Sequence, residues 1–179
     1  MSRKYKFHDL SKLYFITFTV VNWVDVFTRP AYKDILIESW KYCHGKKGLD
    51  IYGWVIMTNH VHMIIGSHGV DLNLIIGQMK RFTSISLKKE IYYNQWESRR
   101  EWMLKIFTEA GKLRSNTDEW QFWQHESHPI KLFSDKIFQQ KLNYIHNNPV
   151  KAGWVKRGED YVYSSAIDYC GGKGLVELA

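Results

Sequence analysis

An α+β domain built on an antiparallel sheet is the fold class this sequence predicts, on three observations. Runs dense in β-branched and aromatic residues, such as Tyr14 to Val21, alternate with stretches whose apolar residues recur at helical spacing. Two of the strand-like runs meet at Thr58-Asn59, a connection too short for a parallel crossover. Hydrophobic residues make up 45% of the 179, enough for the core of one domain.

Taken in order, Tyr14 to Val21 is the first strand and Trp23 to Pro30 a connection. Ile35, Leu36, Ser39, Trp40 and Cys43 mark a helix over Ala31 to His44, with Gly45 placed to end it. The second strand spans about Asp50 to Met57 and the third about His60 to Gly66, joined as a tight hairpin. Asp71 is a fitting N-cap for a long helix carrying Leu72, Leu74, Ile75, Ile76, Met79, Phe82, Ile85, Leu87 and Ile91. Asn94 to Glu119 is polar and weakly periodic, and reads as an irregular or partly helical insertion. Trp120 to His125, continuing through Ile130, suits a fourth strand.

The resulting order, βαββαβ, is the split βαβ of ferredoxin-like domains: an antiparallel sheet with two helices on one face and the other face free. Ser134 then caps an added C-terminal helix from Asp135 to about Asn147, with Ile137, Phe138, Leu142 and Ile145 as its apolar stripe. Pro149 disfavours helical geometry at Asn148, which places that residue in the last turn or just past it. The expectation is a single domain over 1–179, with 94–119 as insertion and 156–179 as tail.

Side chains alternate along a strand, so His60 and His62 share one face while Val61 and Met63 take the other. Two imidazoles so placed can reach one metal ion without backbone strain, or can simply cap a solvent-facing strand. Tyr144 and Asn148, four apart on the last helix, lie one above the other at the border of its stripe. Packing and capping are the plain readings of those two residues.

Lys plus Arg number 25 against 18 Asp plus Glu, and the net +7 favours a polyanionic partner. Lys80, Arg81, Lys88 and Lys89 form the polar side of the long helix, either solvated or in contact with phosphates, and Lys151 offers a similar choice. His125, His128 and His146 are candidates for proton relay or phosphate contact, against surface or packing roles. Cys43 and Cys170 show no CxxC spacing, which argues against a disulfide framework or thiolate zinc site and fits a reducing cytoplasm. No apolar run approaches the ~20 residues of a spanning helix, and no GxxxxGK loop supports nucleotide hydrolysis.

Asn59-His60-Val61-His62, taken with Tyr144-Ile145-His146-Asn147-Asn148-Pro149-Val150-Lys151-Ala152-Gly153-Trp154-Val155, resembles the single-tyrosine HUH transposases, most closely the REP-associated tyrosine transposases of bacteria. Asp160-Tyr161 and Tyr163-Ser164-Ser165-Ala166 resemble the segment after the tyrosine helix in that family. The resemblance implies that His60 and His62 bind a divalent metal, Mg²⁺ or Mn²⁺, that Asn148 is the third protein ligand, and that Tyr144 is the nucleophile. It further implies cleavage and rejoining of single-stranded DNA beside hairpins through a 5′-phosphotyrosine, in a bacterial cytoplasm at the nucleoid, by a monomer or homodimer. Lys80, Arg81, Lys88 and Lys151 are the candidate DNA contacts.

That chemistry is coherent from the residues upward. Phosphodiester oxygens repel an anionic nucleophile, and a bound cation removes the repulsion. A tyrosine hydroxyl is a weak nucleophile at neutral pH and needs cations to help it lose its proton. Two other classes compete: a non-catalytic single-stranded nucleic-acid module of ferredoxin-like fold, and a zinc hydrolase, which the lack of HExxH or a carboxylate base disfavours.

Overall fold

The computed structural model describes residues 7, 9, 11–113, 120–124, 127 and 129–179. The expected αβ order is present: strand β1 (Leu13–Thr19), helix α1 (Pro30–Lys47), strands β2 (Leu49–Ile56) and β3 (His60–Ser67), helix α2 (Leu72–Tyr93), helix α3 (Arg100–Lys112), strand β4 (Ile130–Leu132), helix α4 (Asp135–Lys151) and a short helix α5 (Ala166–Tyr169). The sheet runs β2-β3-β1-β4 with every neighbouring pair antiparallel, as a split βαβ requires.

Period-two alternation divides the apolar residues between two cores. Ile16, Phe18, Trp54, Val61, Met63 and Ile65 point to the layer of α1 and α2, whereas Phe15, Val55 and Ile64 point the other way. That second face is not free. Leu142 and Ile145 of α4 bury themselves on it, and full burial of such side chains stabilises by roughly 1.5–3 kcal/mol each. A Cβ at Gly53 would stand 2.8 Å from Leu142 Cδ1, so the missing side chain is what admits α4 to β2.

Several boundaries differ from expectation. Helix α1 runs through Gly45 and stops at Gly48, whose φ of 70° is the left-handed cap that a glycine adopts without strain. Within the stretch expected to be irregular or partly helical, a helix does form: α3, held by Met103 and Phe107 in the main core. Strand β4 is Ile130–Leu132, so of the expected stretch from Trp120 through Ile130 the described residues Trp120 to Gln124 lie outside it. Phe122 and Trp123 are spent as core against Phe27 and Phe107, and only Trp123 bridges to Val20.

Helix α4 continues through Pro149 to Lys151, so Asn148 lies inside it. Burial of Pro149 outweighs the local preference against helix. The 156–179 tail folds back on β2: Ile56 N–H donates to Tyr163 O, Ser165 N–H to Trp54 O and Ala179 N–H to Ile51 O. Among the described residues no helix is long and apolar enough to cross a membrane.

Candidate active site

Register places the two histidines. On β3, His60 pairs with Thr19 and His62 with Thr17 of β1, all on the face that α4 covers. Their rings converge, with centroids 4.8 Å apart. Each ring has one nitrogen occupied by the scaffold. His60 Nδ1 donates to Asn59 Oδ1 at 2.7 Å, and the Asn59 amide is itself fixed because its Nδ2 donates to Asp25 Oδ1 at 2.8 Å and to Trp23 O at 3.3 Å. His62 Nδ1 meets Thr17 Oγ1 at 2.8 Å. In both rings Nε2 is the nitrogen left for another partner.

Tyr144 reaches this pair from α4. Its hydroxyl stands 3.5 Å from His62 Nε2. Phe15 forms the floor, stacked on His62 at 5.3 Å and edge-on to Tyr144 at 5.9 Å. Lys141 and Lys151 flank the ring of Tyr144, their Nζ atoms 5.8 and 6.0 Å from its centroid. Helical spacing explains this: Lys141, Tyr144, Asn148 and Lys151 fall on one strip of α4. Gln140, Asn143 and Asn147 extend that strip into an open polar groove beside the tyrosine.

The electrostatics favour neutral imidazoles and bound anions. Burial, then the neighbouring His60 and Lys141, push His62 down to about 3. Burial also lowers His60, against the pull of Asp25. A base as weak as His62 cannot take a phenol proton at neutral pH, so its approach to Tyr144 is not that of a general base.

Asn148 is turned back on its own helix, where Nδ2 donates to Tyr144 O at 2.7 Å. Among the described residues no group of three His, Cys, Asp or Glu converges as a metal site. His146 is a packing residue: its Nε2 bonds Ser165 Oγ at 2.9 Å, and Ser165 Oγ also accepts from Trp54 N–H. His125 and His128 lie outside the described residues.

Of the four candidate DNA contacts, Lys151 alone stands beside the tyrosine. Lys80 points elsewhere. It is folded into the other layer, with Nζ donating to Gln124 O at 2.8 Å and lying over Phe18, and burial pushes it down to about 8. Arg81 and Lys88 are exposed but sit on α2, across the sheet from His60 and His62. Lys141, Phe15, Thr17 and Asp25 are the residues that sequence reasoning missed. Lys141 had a readable signal, three residues before Tyr144 on the same strip.

The split βαβ sheet thus presents two histidines beneath a helix-borne tyrosine, and known proteins share this fold. The sequence profile described as "Transposase IS200 like" matches residues 11–109, more than half of the chain, and the chain belongs to that family. The matched span includes the histidine pair and ends before Tyr144. A REP-associated tyrosine transposase of Escherichia coli strain K12 is 27% identical over 116 residues, which are 65% of this chain and 53% of that protein. The chain thus spans about half the length of this curated relative. A solved REP-associated tyrosine transposase bound to a REP hairpin is similar in fold, with a TM-score of 0.62 at 19% identity, covering 100% of this chain and 92% of that one.

Proposed function

We propose that this protein cleaves and rejoins single-stranded DNA beside hairpins, using Tyr144 as nucleophile, as a cytoplasmic DNA-transposition enzyme acting at the nucleoid. The observation that carries the reading is Tyr144 Oη at 3.5 Å from Nε2 of a histidine whose other nitrogen is already engaged. The hairpin is suggested by the solved relative, which is bound to one.

The donor set suits a divalent cation in part. His60 and His62 offer Nε2, and Asn148 keeps Oδ1 while its Nδ2 is engaged. These three residues would hold Mg²⁺ or Mn²⁺, which when bound supplies positive charge to the phosphate oxygens. The chain does the rest. Lys141 and Lys151 draw the phosphate to Tyr144. Phe15 and His62 limit the ring to one orientation.

Tyr144 Oη then bonds to phosphorus as the P–O3′ bond breaks, the phenol proton passes to solvent and the departing 3′ oxygen takes one up. The phosphodiester energy is kept in the phosphotyrosine, so a second 3′-OH reseals the DNA by the reverse displacement. Tyr144 sits over the histidines of its own chain, which supports a site completed without a partner subunit.

The test is incubation with a labelled DNA hairpin carrying unpaired flanks, in Mg²⁺ or Mn²⁺, followed by denaturing electrophoresis. A denaturation-resistant adduct is expected from wild type and none from Tyr144→Phe, with hairpin affinity nearly unchanged. Binding without any adduct would leave the non-catalytic nucleic-acid module as the reading.

A further inference from the structure

We propose that Trp23 is a stacking platform for an unpaired nucleobase next to the site formed by His60, His62 and Tyr144. The inference deepens the single-stranded DNA reading of this site and rests on it.

Three observations converge on this side chain. Trp23 is 59% exposed although the neighbouring Val21 and Val24 are buried, so the local fold delivers the indole to solvent. Its ring lies 6.1 Å from that of His60 at an interplanar angle of 68°, at the opposite end of the histidine pair from Tyr144. Its backbone is held where a bulky residue rarely goes. Asn22 and Trp23, with φ of 53° and 55°, are the two non-glycine residues with positive φ among those described.

This strained turn is tied down from several sides. Val21 N–H donates to Phe122 O, Trp23 N–H to Val20 O, and Asn59 Nδ2 to Trp23 O. Asn59 is also the residue that holds His60 Nδ1. One carboxamide therefore sets both the indole and the imidazole, so the platform and the histidine site move as a unit. Strain that the surroundings enforce beside a reactive centre points to function.

The chemistry selects the occupant. Trp23, His60, His62 and Tyr144 form a row that ends at the cations Lys141 and Lys151. A polyanion drawn to that end lays its chain along the row, and every nucleobase has a face that an indole can stack on. Bases in a duplex are already stacked and would not be available, so the ligand is an unpaired one.

The experiment compares wild type, Trp23→Gly and Trp23→Phe for binding, by fluorescence anisotropy, to a thymidine strand of ~20 nucleotides and to a deoxyribose-phosphate strand of the same length without bases. Glycine removes the ring and accepts the positive φ, so the variant keeps or gains thermal stability. Wild type should prefer the base-bearing strand. Trp23→Gly should weaken that strand about tenfold while leaving the baseless strand unchanged, and Trp23→Phe should recover most of the loss.

Equal weakening of both strands, or of neither, overturns the proposal, as does a wild type with no preference for bases. The readout needs no cleavage. Tyr144→Phe should retain the base preference, and a Trp23-dependent preference in a protein that forms no adduct would uphold the platform while removing the transesterase reading.

Discussion

The hydroxyl of Tyr144 and Nε2 of His62 lie 3.5 Å apart, although 82 residues separate them in the chain. The contact depends on α4 docking across the sheet through Leu142 and Ile145, and on a scaffold that engages Nδ1 of each histidine. Each support can be tested separately.

Asn59→Ala removes the acceptor from His60 Nδ1 and the link to Asp25. Loss of such a supporting hydrogen bond typically lowers metal affinity by about 10- to 100-fold. Titration calorimetry with Mn²⁺ should show this drop, and Asp25→Ala should show a smaller one. Unchanged affinity in Asn59→Ala would mean that His60 is not a ligand.

Lys141 and Lys80 should behave oppositely. Replacing Lys141, which stands at the tyrosine, with Gln should flatten the log-log salt dependence of single-strand binding by about 0.7 and slow adduct formation. Lys80→Met should leave the salt dependence as it is, because that ammonium is engaged with Gln124 and Ser127. A change in salt slope for Lys80→Met alone would return the DNA to the α2 face.

Stability should depend on buried neutral histidines. Burial holds His62 at about 3 and His146 at about 4 in the folded chain, against 6.5 for the free side chain. Between those values the unfolded chain binds more protons than the native one. Stability is therefore complete above about pH 6.5 and falls as the pH drops toward the folded values, by up to ~1.4 kcal/mol per pH unit for each histidine. Denaturant midpoints measured from about pH 7.5 down to pH 5 should fall, and the fall should be shallower in His62→Gln. A flat profile would contradict the burial of these rings.

Ser165→Ala tests how the tail steadies the tyrosine helix. Ser165 Oγ accepts from buried Trp54 N–H and bonds His146, two residues along α4 from Tyr144. Leaving that N–H unpaired should cost about 1–3 kcal/mol of stability. The rate of adduct formation should fall more than hairpin affinity does. Unaltered stability and rate would show that α4 is held by its apolar contacts alone.

Local periodicity makes much of this molecule legible in its sequence. Alternation along β3 puts His60 and His62 on one face, and the i,i+4 relation puts Tyr144 and Asn148 on one strip, because both arise from backbone geometry within a few residues. The Thr58-Asn59 hairpin and the caps Asp71 and Ser134 are equally local. Helix α3 is legible only as a partly helical stretch because its apolar face is flanked by polar residues on both sides, and the fourth strand is misplaced because Phe122 and Trp123 look like strand residues and serve as core.

Tertiary packing alone decides that α4 lies over the histidines and that Lys80 is taken up by Gln124 while Lys141 reaches the tyrosine. It also decides that Trp23 is held out beside His60 in a left-handed turn. These placements depend on contacts between residues far apart in the chain. A side chain's own neighbours in sequence carry no record of which distant surface will bury it or leave it in solvent.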